Sequence, residues 1–217
     1  MFKMKKIILI TGGQRSGKSV AAEQMAMQIG LTSPGQQALP LVYMATARVE
    51  DDEFRERVHI HQQRRGPEWE TIEEERQLSR HDVTGRVVLV DCLTLWLTNF
   101  FFEDEKSTSQ RVNESTSLQV DESTSRRVEP DCIQRIDSLT RRPVDPLAQI
   151  KAEFDRLTAQ EATFIFVTNE IGLGGTSANE VQRRFADMLG LLNQYVAARA
   201  DEVYLVVSGI SIKIKGV

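Results

Sequence analysis

Short apolar runs alternate along the chain with longer polar or amphipathic stretches, a pattern that predicts strands connected by helices. The first run, Ile7–Ile10, is rich in β-branched residues and ends shortly before a pair of glycines. Similar runs at Leu41–Ala45, Val87–Val90 and Phe164–Thr168 predict three more strands. Because Ile7–Ile10 is continuously apolar instead of alternating, we expect it to be buried on both faces of a parallel sheet.

Three longer segments predict helices between and after these strands. They are Lys18–Ile29, Asp51–Arg65, which has acids in its first turn, and Val181–Arg199. Two further runs, Val203–Val207 and Ser211–Lys215, predict a C-terminal strand pair. Strands that alternate with helices imply crossover connections, so we predict an α/β fold with a mostly parallel sheet flanked by helices.

Composition narrows the class of protein. A chain of 217 residues with 41% hydrophobic content can build one domain, which we place at residues 1–217. The net charge of −4 and the absence of clustered Lys and Arg argue against nucleic acid as a partner. No apolar run approaches the roughly 18 residues of a membrane helix, so no membrane insertion is expected. The two cysteines form no CxxC pair, and the expected compartment is the cytoplasm.

One segment, at about residues 103–143, differs in composition from the rest. It contains three near-copies of an eight-residue unit, which begin at Ser107, Ser115 and Ser123. The units are rich in Ser, Thr and charged residues and offer little apolar surface to bury. We interpret the segment as a flexible low-complexity insertion, with a tether or a phosphorylation site as the alternative.

A phosphate-binding motif follows the first predicted strand and opens the first predicted helix. The pattern G-x-x-x-x-G-K-[ST] is matched by Gly12, Gly13, Gln14, Arg15, Ser16, Gly17, Lys18 and Ser19. Backbone N–H groups of such a loop point at phosphate oxygens, and the helix dipole adds to the attraction. Lys18 is expected to reach the β- and γ-phosphates and Ser19 to bind Mg²⁺. The fold class therefore becomes P-loop NTPase-like (RecA-like), and a plain glycine-rich turn is the alternative.

Two other strand ends carry candidate polar groups. Asp91 directly follows Val87–Val90, at the edge of an α/β sheet where ligands bind, and is a candidate second ligand for Mg²⁺. Many buried strands also end in Asp without a metal role. The segment from Thr168 to Gly175 combines polar groups with glycines, which suits either a site loop or an ordinary turn.

The histidines on the Asp51–Arg65 segment are candidates for catalysis. At about 100° per residue, His61 falls on the same helical face as Phe54 and Val58, whereas His59 points away from it. His61 is therefore expected to face the protein. From the pattern alone, a satisfied core histidine is the favoured interpretation of His61, and a catalytic histidine is the alternative.

These motifs together resemble those of the bifunctional adenosylcobinamide kinase / adenosylcobinamide-phosphate guanylyltransferase family of cobalamin biosynthesis. The similar blocks span nearly the whole chain in family order: Thr11–Ser19, Tyr43–Ala47, Arg57–His61, Arg65–Thr71, Asp91–Asn99, Val167–Gly172, Asn193–Gln194, Ala200–Val203 and Val206–Ile210. The insertion at about 103–143 is the main departure from the family pattern.

The resemblance implies two activities. The first phosphorylates the aminopropanol hydroxyl of adenosylcobinamide with ATP or GTP. The second transfers GMP from GTP to that phosphate through a guanylylated histidine, for which the spacing after Arg57 matches His61. The resemblance also implies a trimer and guanine-nucleotide contacts at the phosphate-binding loop and at Ala45, Thr46, Ala47, Gln62, Gln63, Arg64, Arg65, Glu73 and Asp91.

Two other functions compete with this interpretation. One is a P-loop kinase that acts on another small metabolite. The other is a nucleotide-dependent switch or ATPase subunit without a small-molecule acceptor. A switch needs neither His61 nor the Arg65–Thr71 block, and the sequence contains both.

Overall fold

The computed structural model describes residues 5–31, 38–48, 65–102 and 145–216. Seven strands are present in these ranges: β1 (Lys6–Gly12), β2 (Leu41–Ala45), β3 (Trp69–Glu73), β4 (Val87–Asp91), β5 (Thr163–Val167), β6 (Glu202–Val207) and β7 (Ile210–Lys215). The longer helices there are α1 (Lys18–Leu31), α2 (residues 93–102), α3 (Pro146–Thr158) and α4 (Glu180–Arg199).

All seven strands belong to one sheet, in the order β3-β2-β4-β5-β1-β6-β7. Every pairing is parallel except that of β6 with β7, which is antiparallel. Strand β1 lies near the centre, between β5 and β6, and β5 separates it from β4. The predicted α/β fold of P-loop NTPase-like, RecA-like type, with a C-terminal strand pair, is confirmed.

Apolar side chains cover both faces of the central strands. One cluster contains Leu9, Val88 and Phe166, and the cluster on the other face contains Ile8 and Leu89. Strands β1, β4 and β5 are therefore buried on both sides, as expected for a parallel sheet. The prediction that Ile7–Ile10 forms such a strand is confirmed, and the structure extends the strand through Gly12.

The other predicted strands are confirmed to within two residues at each end. The helices predicted at Lys18–Ile29 and Val181–Arg199 are also confirmed, as α1 and α4. The helix predicted at Asp51–Arg65 and the insertion at about 103–143 lie outside the described residues, apart from Arg65. Among the described helices, none is both long and apolar enough to cross a membrane.

The C-terminal strand differs from the central strands because its side chains are exposed. On β7 the apolar side chains of Ile210, Ile212 and Ile214 are 67%, 50% and 59% exposed. They alternate with Ser211 and two lysines, so the three isoleucines lie on one face of the strand. This edge strand presents an apolar surface that nothing in the described part of the chain covers.

Candidate functional site: a nucleotide-binding sheet edge

The turn that follows β1 has the backbone conformation of a phosphate-binding loop. Arg15 and Gly17 have φ angles of 56° and 96°, a region that costs a non-glycine residue energy. A Cβ on Gly12 would lie 2.3 Å from the carbonyl oxygen of Val206, so only glycine fits there. Within the described residues, the buried Oγ of Ser16 has no hydrogen-bond partner. An unpaired polar atom inside such a loop is consistent with a loop that binds a ligand.

The turn between β6 and β7 supports this loop from the side. The Gly209 N–H donates a hydrogen bond of 2.8 Å to the Ser16 carbonyl. A Cβ on Gly17 would lie 3.3 Å from the Gly209 Cα, so the two turns are in close contact. Sequence analysis missed Gly209, because nothing in the local sequence links it to a loop almost two hundred residues away.

Lys18 is the buried cation of the site. Lys18 is only 7% exposed, and its Nζ donates a hydrogen bond of 2.5 Å to the Gly13 carbonyl. Burial lowers the pKa of Lys18, while the nearby Asp91 carboxylate acts in the opposite direction. Lys18 and Asp91, which the sequence predicts as site residues, are therefore close enough to interact.

The parallel register brings three predicted site residues together. Ala45 pairs with Glu73 on one side and with Asp91 on the other, at the carboxyl ends of β2, β3 and β4. Glu73 is exposed and Asp91 is half-buried, so both carboxylates are accessible at this edge. This is the edge at which α/β sheets bind ligands.

Thr46 is placed at the same edge but its side chain is already engaged. Its Oγ1 donates to the Cys92 carbonyl at 2.9 Å and accepts from the Cys92 N–H at 3.0 Å. Its carbonyl accepts a hydrogen bond of 2.8 Å from Asn99. Thr46 is fully buried and ties the end of β2 to α2, whereas its neighbour Ala47 is half-buried.

Tyr43 joins Asp91 to Arg65. Its hydroxyl donates to Asp91 Oδ2 at 3.1 Å, and the Arg65 guanidinium lies 3.6 Å from the centre of its ring. Within the described part of the chain, Nε and Nη1 of Arg65 have no hydrogen-bond partner. Arg65 is thus placed beside the sheet edge with two unpaired donors. Tyr43 was not singled out from the sequence, because a tyrosine inside a buried strand looks like a core residue.

The loop after β5 also belongs to this edge. The Glu170 N–H donates to the Gly12 carbonyl at 3.0 Å, and the Asn169 N–H donates to Thr94 Oγ1 at 3.1 Å. Behind them, Thr168 Oγ1 donates to Asn193 Oδ1 at 2.7 Å. Of the two interpretations of the Thr168–Gly175 segment, its contact with the phosphate-binding loop favours a site loop.

An apolar cavity of about 340 Å³ opens next to this loop. It is bounded by α2, by residues 171–177 and by the first turns of α4, and its large apolar side chains are Phe102, Ile171, Val181 and Phe185. The edge therefore offers polar groups for phosphates and, close to them, a surface for an apolar ligand.

Three predicted contact residues, Gln62, Gln63 and Arg64, fall outside the described residues, as do the candidate nucleophile His61 and the neighbouring His59. For metal binding, no described group of three His, Cys, Asp or Glu side chains could hold an ion. Magnesium needs no such cluster, since it is bound by one or two protein oxygens together with phosphates and water. The Asp91 carboxylate and the half-buried Ser19 hydroxyl at the start of α1 provide oxygens of that kind.

The fold and this edge define a P-loop nucleotide-binding protein. The family model of "Cobinamide kinase / cobinamide phosphate guanyltransferase" matches residues 8–214. The chain belongs to this family.

Curated relatives agree with the family assignment. The chain is 34% identical to the "Bifunctional adenosylcobalamin biosynthesis protein CobU" of Escherichia coli, with 96% of this chain and 99% of the relative aligned. It is 32% identical to the "Bifunctional adenosylcobalamin biosynthesis protein CobP" of Pseudomonas aeruginosa, with 96% of each aligned. The corresponding protein of Salmonella typhimurium is 34% identical over 96% of this chain and 99% of its own length.

Two solved structures match the chain more distantly. The flagellar accessory protein FlaH of Methanocaldococcus jannaschii matches with a TM-score of 0.44 and 13% identity, covering 99% of this chain and 80% of that one. The ATPase domain of G40P matches with a TM-score of 0.42 and 10% identity, covering 94% of this chain and 70% of that one.

Proposed function

We propose that this chain phosphorylates the aminopropanol hydroxyl of adenosylcobinamide and then converts that phosphate to adenosylcobinamide-GDP. The observation that carries the proposal is the match of residues 8–214 to a family whose description names both activities. The complete phosphate-binding loop between β1 and α1 supports it independently. The reactions are expected in the cytoplasm, with ATP or GTP for the first and GTP for the second.

In the first reaction the acceptor hydroxyl oxygen attacks the γ-phosphorus, and the bond from that phosphorus to the β–γ bridging oxygen breaks. The hydroxyl loses its proton to water as its oxygen bonds to the phosphorus, and the nucleoside diphosphate carries away the bridging oxygen. Lys18 and the loop N–H groups would stabilise the charge that develops on the β- and γ-phosphates. Positioning and electrostatics provide most of the catalysis in such a transfer.

In the second reaction a neutral imidazole nitrogen of His61 attacks the α-phosphorus of GTP, and pyrophosphate leaves. The acceptor phosphate oxygen then attacks the same phosphorus, the P–N bond breaks, and the imidazole is restored. An imidazole with an ordinary pKa of about 6.5 is mostly neutral at pH 7 and needs no further activation. Arg65, four residues after His61, is placed beside the sheet edge with unpaired donors that suit a phosphate.

We also propose Mg²⁺ as the metal, held by Asp91 and the Ser19 hydroxyl. When bound, it would neutralise part of the triphosphate charge. The donor set fits this ion, because both groups are hard oxygens next to the phosphate-binding loop.

The chain is further proposed to work as a trimer, as the family resemblance implies. The exposed isoleucine face of β7 supports self-association, because apolar surface of this kind on an edge strand favours contact with another chain. Light scattering is expected to give three times the chain mass of 24.6 kDa. A mass equal to one chain would refute the trimer.

Labelled GTP tests the proposed function. With the label on the α-phosphate, radioactivity should remain on the denatured chain and move to adenosylcobinamide-phosphate when that acceptor is added. With the label on the γ-phosphate, it should move to adenosylcobinamide. A kinase of another metabolite would give no covalent α-label, and a switch would release only labelled inorganic phosphate. Either result would contradict the proposal.

A further inference from the structure

Tyr43 on β2 is the meeting point of three elements at the nucleotide edge. Its hydroxyl donates to Asp91 at the end of β4, at 3.1 Å. Its ring supports the Arg65 guanidinium at 3.6 Å and contacts the Trp69 ring of β3 edge-on, at 6.3 Å between centroids. Tyr43 itself is only 5% exposed, so these contacts hold it in one position.

The chemistry of Tyr43 suits a fixed donor. Burial raises the pKa of Tyr43, and the neighbouring Asp91 carboxylate raises it further. An ordinary phenol has a pKa of about 10, so at neutral pH the Tyr43 hydroxyl carries the proton that it donates to Asp91 Oδ2. A donor that engages one carboxylate oxygen fixes the carboxylate plane and leaves the other oxygen free to bind a cation.

The ring of Tyr43 has a separate role toward Arg65. A guanidinium stacked on an aromatic face is held in one plane by cation–π attraction. Two of the Arg65 nitrogens, Nε and Nη1, have no partner in the described part of the chain. Both nitrogens are buried, and buried donors without a partner that are held in one plane suit an anionic ligand at this edge.

We propose that Tyr43 is a positioning residue: its hydroxyl orients Asp91 for the metal, and its ring orients Arg65 for the nucleotide phosphates. This proposal rests on the proposed function, since it takes Asp91 as a metal ligand. The two parts of the proposal, a hydroxyl arm and a ring arm, can be tested separately, because the hydroxyl can be removed while the ring stays.

The chain contains a matched control for the hydroxyl. The Tyr195 hydroxyl donates to Asp155 at 2.6 Å, and the Arg199 guanidinium lies 3.5 Å from the Tyr195 ring. This second Tyr–Asp–Arg group lies on α3 and α4, where the structure shows no contact with the phosphate-binding loop. Tyr195→Phe therefore removes the same chemistry without touching the site.

The first experiment measures binding, without turnover. Mn²⁺ is titrated into protein and GDP and followed by electron paramagnetic resonance, and GTP binding is measured by calorimetry with EDTA present. Tyr43→Phe should weaken Mn²⁺ binding about tenfold, as removal of an outer-shell partner typically does. In Tyr43→Phe, the affinity for GTP without metal should stay within about twofold of that of the unmodified chain. Tyr195→Phe should change neither Mn²⁺ binding nor metal-free GTP binding. Unaltered Mn²⁺ binding in Tyr43→Phe would overturn the hydroxyl arm.

The second experiment tests the ring. Tyr43→Leu removes both contacts and should weaken metal-free GTP binding about five- to tenfold, which Tyr43→Phe does not. Arg65→Lys keeps the charge but loses the planar stack, so it should reproduce this loss in a chain whose Tyr43 is intact. A chain that carries both Tyr43→Leu and Arg65→Lys should lose no more GTP affinity than either single variant. Full GTP affinity in Arg65→Lys, or additive losses in the double variant, would overturn the ring arm.

These readouts separate this proposal from the proposed function. Nucleotide and Mn²⁺ binding need no acceptor, so they can succeed even where cobinamide receives no phosphate or GMP. Conversely, normal transfer to the acceptor with unaltered binding in all Tyr43 variants would leave the function standing and refute the role of Tyr43.

Discussion

At the scale of single residues, the site depends on a buried positive charge. Lys18 is 7% exposed, and burial lowers its pKa, so its charge costs more here than it would in water. The nearby Asp91 compensates for part of this cost and favours the charged form. A cation kept in such a position interacts strongly with a triphosphate, because little water remains to screen it.

Replacing this lysine should therefore affect both activities. In Lys18→Ala, phosphoryl transfer and guanylyl transfer should each fall by about 10²–10³-fold, because both need the charge on the triphosphate neutralised. Steady-state assays with each acceptor measure the loss. Lys5→Ala is the control, since Lys5 donates to the Ala159 carbonyl, at 3.2 Å, in an exposed position. Retention of either activity at near-normal rates in Lys18→Ala would count against a shared nucleotide site.

Some site residues were predictable from the sequence and others were not. Lys18 belongs to a contiguous motif whose spacing encodes its chemistry, and Asp91 follows an apolar run that marks a strand end. Tyr43 and Gly209 act through contacts with residues far away in the chain, which local patterns do not reveal. His61 remains a prediction, because it lies outside the described residues.

At the scale of elements, parallel pairing gathers the carboxylates. Because β2, β3 and β4 end in register, Glu73 and Asp91 lie on either side of Ala45. The turn between β6 and β7 then supports the phosphate-binding loop through the Gly209 N–H. The C-terminal hairpin therefore contributes to the shape of the loop as well as to the sheet.

A change in that turn should loosen nucleotide binding. Gly209 has a φ of 82°, where an alanine costs roughly 1–2 kcal/mol. Gly209→Ala should therefore shift the turn and weaken GTP binding about five- to tenfold, as measured by calorimetry.

The control for this substitution is Gly85→Ala. Gly85 has a φ of 77°, and its N–H donates to the Glu161 carbonyl at 2.9 Å. It precedes β4 and therefore lies at the amino ends of the strands, whereas the site lies at their carboxyl ends. It should lose similar stability and keep its GTP affinity. Equal losses of affinity in both variants would show that the effect is general destabilisation.

The elements that sequence analysis missed have physical explanations. Strand β3 contains three polar residues besides Trp69 and Ile72 and is mostly exposed. It therefore lacks the continuous apolar run of a buried strand. Helix α3 does have a start signal, because Asp145 caps it by accepting the Leu147 N–H and Pro146 follows. That signal lies directly after the insertion at about 103–143. Helix α2 begins immediately after β4, and no turn residue separates the two.

At the scale of the whole molecule, the described site residues lie at or beside one edge of a single sheet. The insertion interrupts the chain between α2 and α3, and its repeats contain few apolar residues that a core could bury. Deletion of Ser107–Glu129 should therefore leave the melting temperature within about 2 °C and guanylyl transfer intact. Calorimetry and the transfer assay measure these two quantities. A large drop in the melting temperature would show that the segment is part of the folded structure.

The proposed guanylyl transfer depends on one covalent bond, between GMP and His61. The most direct test is mass-spectrometric mapping of the adduct that forms with GTP and Mg²⁺, in the unmodified chain and in His61→Ala and His59→Ala. The account predicts GMP on His61, no adduct in His61→Ala, and a normal adduct in His59→Ala. Adduct formation should decline as the pH falls through about 6.5, because the attacking imidazole becomes protonated. GMP found on His59 or on a lysine, or full guanylyl transfer by His61→Ala, would contradict it.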